Sequence, residues 1–332
     1  MYYLITDREH WDKSLEQYLT SYSVFASIEN ELGQDYERIY PENIRSITYN
    51  KPKPATPLKT FFLPVKENVT SGTDNIVPRI IIGVPNCDIE ALSLLDEIYL
   101  SNRFNDIFYR KRRENTILIS SDCFGIQEHC HCRAYGINPW SESKADVGII
   151  CMENKVVLRI ISQKGEKFAA SVNYVHPLES DDLISLIEKE HLATEALLTE
   201  STQGLPDYMT TGSLIADTDD VIWEKYSSRC VSCGACTTIC PTCSCFLLID
   251  RPGFEKIKQM DACQYPGFER VAGGEDALWE LKNRFRNRYM CKYVWKPAKF
   301  NSTACTGCGR CIEACIGKIN KNELFLEIAK TT

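Results

Sequence analysis

The sequence predicts an α+β chain of two domains: an N-terminal α/β domain over residues 1–215 and a C-terminal α-helical domain over 216–332. Three observations predict this. RIIIGV (79–84) and TILISSDC (116–123) are short apolar, β-branched runs of the buried-strand kind, and the first leads through a turn into a helical pattern. LTESTQGLPDYMTTGSLIADTDD (198–220) is polar with Gly and Pro and reads as a linker. Beyond it, two cysteine runs of identical spacing flank a stretch with apolar residues at intervals of three and four.

The length of 332 residues suits two or three domains, each with its own core. Hydrophobic content of 44% and charged content of 25% are ordinary for a soluble globular protein. A net charge of −7 favours neither nucleic acid nor an anionic membrane surface as a partner. MYYLITDREHWDKSLEQY carries Asp7, Glu9 and Asp12 where a signal peptide has its apolar core, and no run approaches the ~20 apolar residues of a membrane span. A soluble, cytoplasmic protein is expected. The 17 cysteines then point to metal or redox chemistry rather than disulfides, and an odd number cannot pair completely.

In the first domain, Pro85 and Asn86 turn the chain after RIIIGV, and Asp88 is the expected cap of a helix with Ile89, Leu92, Leu95 and Tyr99 on one face. Cys87 falls at that turn and Cys123 just past the second strand. Ligands collect at the carboxyl ends of strands in α/β sheets. HCHC follows, with His129, Cys130, His131 and Cys132; then DVGIICMENKVVLRIIS (146–162) reads as a hairpin turning at 153–155, with Cys151 as a small core hydrophobe. Cys87, Cys123, Cys130 and Cys132 are therefore four candidate ligands of a third metal site. Buried structural thiols, a zinc site using His129 or His131, and chance are the alternatives.

In the second domain, Cys230, Cys233, Cys236 and Cys240, followed by Pro241, form C-x2-C-x2-C-x3-C-P, a bacterial-type iron–sulfur signature. Cys305, Cys308, Cys311 and Cys315 repeat the spacing, with Ile316 in place of the proline. Three closely spaced thiolates can converge on one cubane while the fourth reaches the other. The expected ligand sets are Cys230, Cys233, Cys236 and Cys315 for one [4Fe–4S] cluster, and Cys240, Cys305, Cys308 and Cys311 for the other. Gly234, Gly307 and Gly309 allow close backbone approach. Zinc sites rarely use three cysteines at successive two-residue gaps.

EDALWELKNRFRNRYMCKYVW (275–295) has Leu278, Leu281, Phe285 and Tyr289 in helical register, which makes this a helical two-cluster ferredoxin domain rather than a compact β-ferredoxin. Its Lys282, Arg284, Arg286, Arg288 and Lys292, with Lys296 and Lys299 beyond, form either a solvated basic face or a means of docking an acidic partner and compensating anionic clusters. Cys243, Cys245, Cys263 and Cys291 are a rival ligand set of lower rank. No G-x-G-x-x-G follows a strand and no Walker A run occurs. The residues carry electrons without an evident substrate site.

The strings CDIEALSLLDEIYLSN (87–102), DCFGIQEHCHC (122–132), SRCVSCGACTTICPTCSC (228–245), MDACQYPGFERVAGG (260–274) and CTGCGRCIEAC (305–315) occur in one order. On them the chain resembles the A subunit of anaerobic sulfite reductase and the related β subunit of cytoplasmic [NiFe] sulfhydrogenases, over roughly residues 78–317. Ile316, and the histidine between Cys130 and Cys132 where the family more often has an aromatic, are departures. The resemblance implies a non-catalytic electron-transfer subunit of a soluble complex. A flavoprotein subunit oxidises NAD(P)H, this kind of chain relays the electrons, and a sirohaem or [NiFe] subunit uses them, with sulfite reduction the first reading. It also implies a third cluster in the N-terminal domain, on Cys87, Cys123, Cys130 and Cys132. A self-contained iron–sulfur enzyme and a redox or iron sensor are the readings from other classes.

Overall fold

A computed structural model describes residues 1–70 and 76–331. Among the described residues the strands are β1 (Tyr2–Asp7), β2 (Ser23–Asn30), β3 (Gly33–Arg38), β4 (Lys66–Asn68), β5 (Arg79–Val84), β6 (Thr116–Ser121), β7 (Val147–Met152), β8 (Lys155–Ile160), β9 (His176–Pro177), β10 (Phe246–Arg251) and β11 (Glu255–Met260). Eight of them form one mixed sheet in the order β3-β2-β5-β6-β7-β8-β1-β9. β2, β5, β6 and β7 run parallel, and the outer joins are antiparallel.

The unbroken apolar runs follow from burial on both faces. Ile80, Ile82, Ile117 and Ile119 face one core with Trp11 and Leu15, while Ile81, Val84 and Leu118 face another with Phe62, Leu92 and Tyr109. Successive side chains alternate across a sheet, so a strand covered on both sides must be apolar throughout. β7 and β8 form the expected hairpin, and Glu153 in its turn adopts φ 52°.

The helix after β5 begins at Asn86 with Pro85 as its cap, three residues before the expected cap at Asp88. Asp88 thus lies inside the first turn. Its carboxylate accepts instead from the Leu58 amide and from Arg310, which is why it is buried rather than a solvent-facing cap.

The C-terminal half carries the helices Asp220–Ser227, Leu281–Met290 and Lys321–Thr331 and also contains the hairpin β10–β11, which turns at 252–254 with Gly253 at φ 81°. This hairpin adds β4 to make a three-stranded sheet, pairing Ile257 with Asn68 and Lys258 with Glu67. Lys258 Nζ bridges Glu67 (3.0 Å) and Asp106 (2.6 Å), joining the two halves of the chain.

Two local expectations are corrected. The polar stretch 198–220 is mostly helical: one helix runs to Ser201 and another spans Tyr208–Asp217. Asp207 accepts from the Met209 and Thr210 amides as a cap, and Gly212 lets the second helix lie against the Tyr293 carbonyl, where a Cβ would sit at 2.6 Å. Residues that read as linker composition are serving as cap and close-packing residues. The helix expected over 275–295 starts only at Leu281, because the Arg284 side chain donates to the carbonyls of Leu278 and Trp279 and holds that segment as a turn. It then continues through a π-helical turn, Cys291–Trp295, into Lys296–Phe300, so Arg284 delays the start of the helix and does not shorten its end. Pro297 cannot donate to the Tyr293 carbonyl, so the regular ladder cannot cross this point.

An aromatic second core of Tyr208, Trp223, Phe285, Tyr289, Tyr293 and Phe325 underlies the cysteine runs, and Tyr135 enters it from the N-terminal half. Among the described residues no helix is long and apolar enough to cross a membrane.

Candidate iron–sulfur centres

The first cysteine run forms a loop closed by a short helix, Ala235–Thr238. Ser232 (φ 53°) and Gly234 (φ 72°) give it the left-handed turns that carry Cys230, Cys233 and Cys236 around one cavity. Cys315 reaches the same cavity from the second run, and Cys311 lines its wall. A Cβ on Gly234 would sit 2.5 Å from the Tyr265 ring, so that position requires glycine. Ile316 is exposed. The exit turn is held by Lys318 N to Cys315 O (3.0 Å) and Ile319 N to Cys315 Sγ (3.3 Å) rather than by a proline.

Cys240, Cys305, Cys308 and Cys311 line a second cavity together with Arg288, Lys292 and Lys321. Lys292 Nζ lies 2.9 Å from Cys240 Sγ and also donates to Thr242 Oγ1 (2.7 Å) and the Ala304 carbonyl (3.2 Å). Lys321 Nζ meets His131 Nε2 (2.8 Å) and the Tyr293 hydroxyl (3.0 Å). Burial acts to raise the Cys305 thiol, but Lys321 and Lys292 outweigh it and hold the thiol below its ordinary value. The basic helix therefore turns its inner residues, Arg284, Arg288 and Lys292, into the protein, while Lys282 pairs at the surface with Asp220 and Glu224.

Cys87, Cys123, Cys130 and Cys132 line a third cavity. Parallel pairing of β5 with β6 brings the first two to one sheet end, and the Cys132 turn returns the other two. His131 turns away from the four sulfurs, as the one-residue spacing requires, but into the interior towards Lys321 rather than out to solvent. Neither His129 nor His131 lines this cavity. Burial pushes the Cys132 thiol up to about 12 and raises Cys87 and Cys123 well above their usual range. Lys53 is the nearby cation, 3.8 Å from Cys130 Sγ and 2.7 Å from Glu313.

The glycines of the second run are where this third loop docks. A Cβ on Gly307 would lie 2.5 Å from the His131 carbonyl and 2.6 Å from Cys132 Cα, and one on Gly309 would lie 2.4 Å from the His129 carbonyl. The His131 amide donates to the Gly307 carbonyl at 2.8 Å.

The three cavities are contiguous. Cys311 lines the first and second, and Cys308 lines the second and third. Among the described residues, no three His, Cys, Asp or Glu side chains converge so as to hold a single metal ion. Zinc would need its thiolates all at about 2.3 Å from one point. Four cysteines spread around a cavity instead fit a group of several atoms, and glycines cradle the loops.

Electrostatics agree. Lys59, Arg288, Lys292 and Lys296 find carbonyls, hydroxyls and cysteine sulfur as partners, with no carboxylate among them in the described residues. Buried cations need compensating negative charge, and here sulfur is what surrounds them.

Cys243 and Cys240 are in side-chain contact, and Cys245 and Cys263 form a second contacting pair. Cys291 opens the π-helical turn and lines none of the three cavities. Sequence reasoning missed Lys53, Lys59, Arg310 and Lys321, whose roles no local pattern signals, and gave Asp88 a helix-cap role in place of its pairing with Arg310.

Residues 229–319, which hold both cysteine runs, match the family described as 4Fe-4S dicluster domain. The class defined by fold and site is an iron–sulfur electron-transfer protein with [4Fe–4S] clusters. Over 319 residues the chain is 28% identical to Sulfhydrogenase 2 subunit beta of Pyrococcus furiosus, covering 92% of each chain. These two matches support the sulfhydrogenase-beta and 4Fe-4S resemblance carried by the five strings quoted above. No solved structure matches the chain significantly.

Proposed function

We propose that the chain is the electron-relay subunit of a multi-subunit reductase, placed between an NAD(P)H-oxidising flavoprotein subunit and a catalytic subunit. The observation that carries this reading is the row of three contiguous cysteine-lined cavities joined through Cys311 and Cys308. When bound, [4Fe–4S] clusters supply one-electron transfer, with potentials tuned by charge and hydrogen bonds around the sulfurs. The reading assigns Cys230, Cys233, Cys236 and Cys315 to one cluster, Cys240, Cys305, Cys308 and Cys311 to the next, and Cys87, Cys123, Cys130 and Cys132 to a third. Arg288, Lys292 and Lys321 stabilise added negative charge at the middle site, where they line the cavity. Gly307 and Gly309 keep the third loop against the second run.

For the catalytic partner, the name of the 28% identical relative favours a [NiFe] subunit, while the strings shared with anaerobic sulfite reductase keep a sirohaem subunit as the second reading. Isolation of the native complex from its own cells, with partner identification and iron analysis, tests the proposal. Co-purification with a flavoprotein and a sirohaem or [NiFe] subunit is expected. Steady sulfite reduction or hydrogen oxidation by the isolated chain would overturn the relay role.

A further inference from the structure

Cys245 and Cys263 are absorbed by none of the three cavities. Cys245 immediately precedes β10, and Cys263 follows β11 by three residues. The hairpin register sets Phe246 opposite Met260, and the Asp261 amide donates to the Cys245 carbonyl at 3.0 Å, so the open end of the hairpin brings the two cysteines together. Their side chains are in hydrogen-bonding contact, and Gln264 Nε2 reaches Cys263 Sγ at 3.8 Å.

The surroundings are cationic. Lys296 Nζ donates to the Thr242 carbonyl (2.9 Å) and the Ser244 hydroxyl (3.4 Å), and Lys59 Nζ donates to the Cys243 carbonyl (3.1 Å). The two thiols differ in exposure: Cys245 is half-buried, while Cys263 is 7% exposed.

We propose that Cys245 and Cys263 form a redox-active dithiol–disulfide pair that exchanges with external disulfides, a two-electron site separate from the cysteine-lined cavities. The contact with Cys263, reinforced by Lys296, Lys292 and Lys59, pulls the Cys245 thiol down to about 6, and the same contact holds Cys263 far above its ordinary value. Cys245 is thus the accessible thiolate and Cys263 the protonated resolving thiol, the asymmetry that thiol–disulfide exchange requires.

The steps balance. The Cys245 thiolate attacks one sulfur of R–S–S–R, forming Cys245–S–S–R and releasing RS⁻. Cys263 then loses its proton to water and displaces the second RS⁻, closing the Cys245–Cys263 disulfide. Each RS⁻ takes up a proton, one the equivalent of that released by Cys263 and the other drawn from solvent, so one external disulfide becomes two thiols while the protein pair loses two electrons and one proton. A dithiol reductant reverses the sequence.

The test uses the full chain with its clusters, purified without oxygen and exposed to glutathione disulfide or to dithiothreitol. Acid quenching, alkylation and peptide mass spectrometry read the thiols. The expected result is a linked Cys245–Cys263 peptide, two hydrogens lighter after glutathione disulfide and opened by dithiothreitol. Cys263→Ser is expected to trap glutathione on Cys245, and Cys245→Ser to trap none on Cys263. Full alkylation of both thiols after glutathione disulfide overturns the proposal, as does a link that dithiothreitol leaves intact. Loss of about four irons in Cys263→Ser assigns the residue to a further cubane and overturns it as well. The relay proposal is read separately, from partner co-purification.

Discussion

Arg310 closes a two-armed ion pair with Asp88, Nη1 to Oδ1 at 2.6 Å and Nη2 to Oδ2 at 3.0 Å, with both side chains almost fully buried. Arg310 Nε also donates to the Pro54 carbonyl at 2.9 Å. Asp88 follows Cys87 of the third cavity, and Arg310 precedes Cys311 of the second, so this pair fixes one site relative to the other.

Removing one partner leaves a buried charge uncompensated. Arg310→Ala is expected to cost about 3–5 kcal/mol. Denaturant unfolding under anaerobic conditions measures this, and a loss below ~1 kcal/mol would show that the pair has little structural weight.

Gly307→Ala is expected to displace the HCHC loop, because the added Cβ would meet the His131 carbonyl and Cys132 Cα at a residue with φ 66°. Iron content should fall from about twelve towards about eight per chain, four per cubane. Gly273→Ala, where a Cβ meets nothing within 4 Å, serves as the neutral control.

Cys130→Ala combined with Cys132→Ala should likewise reduce iron from about twelve to about eight. A value near twelve in the double variant would place the third cluster elsewhere.

Cys315→Ser should disturb the cluster held by Cys230, Cys233 and Cys236, since Cys315 lines that cavity and not the one lined by Cys240, Cys305, Cys308 and Cys311. Spectroscopic titration that shows the opposite cluster altered and this one intact would reverse the crosswise assignment.

Lys292→Met removes a buried ammonium 2.9 Å from Cys240 Sγ. With less positive charge beside it, the middle cluster should become harder to reduce. A potential lower by on the order of 60 mV, one decade for a single electron, is expected in a redox titration monitored by electron paramagnetic resonance.

By itself the sequence determined whatever short-range pattern encodes: the two cysteine runs at fixed gaps, the strands RIIIGV and TILISSDC, and the hairpin at 146–162. Each depends on neighbours a few positions apart, where spacing maps directly onto backbone geometry. Only the tertiary structure decided that 198–220 is mainly helix, that β4 adds to the C-terminal hairpin, and that Arg284 delays the start of the basic helix to Leu281. The set Cys87, Cys123, Cys130 and Cys132 was legible from strand ends and local spacing, but only the structure turned His131 inward and set Lys53, Lys59 and Lys321 near cysteine side chains. Asp88 and Arg310 lie 222 positions apart. Contacts of that separation leave no periodic trace, because burial of charge and the close approach of Gly307 to Cys132 are settled by packing between elements rather than within them.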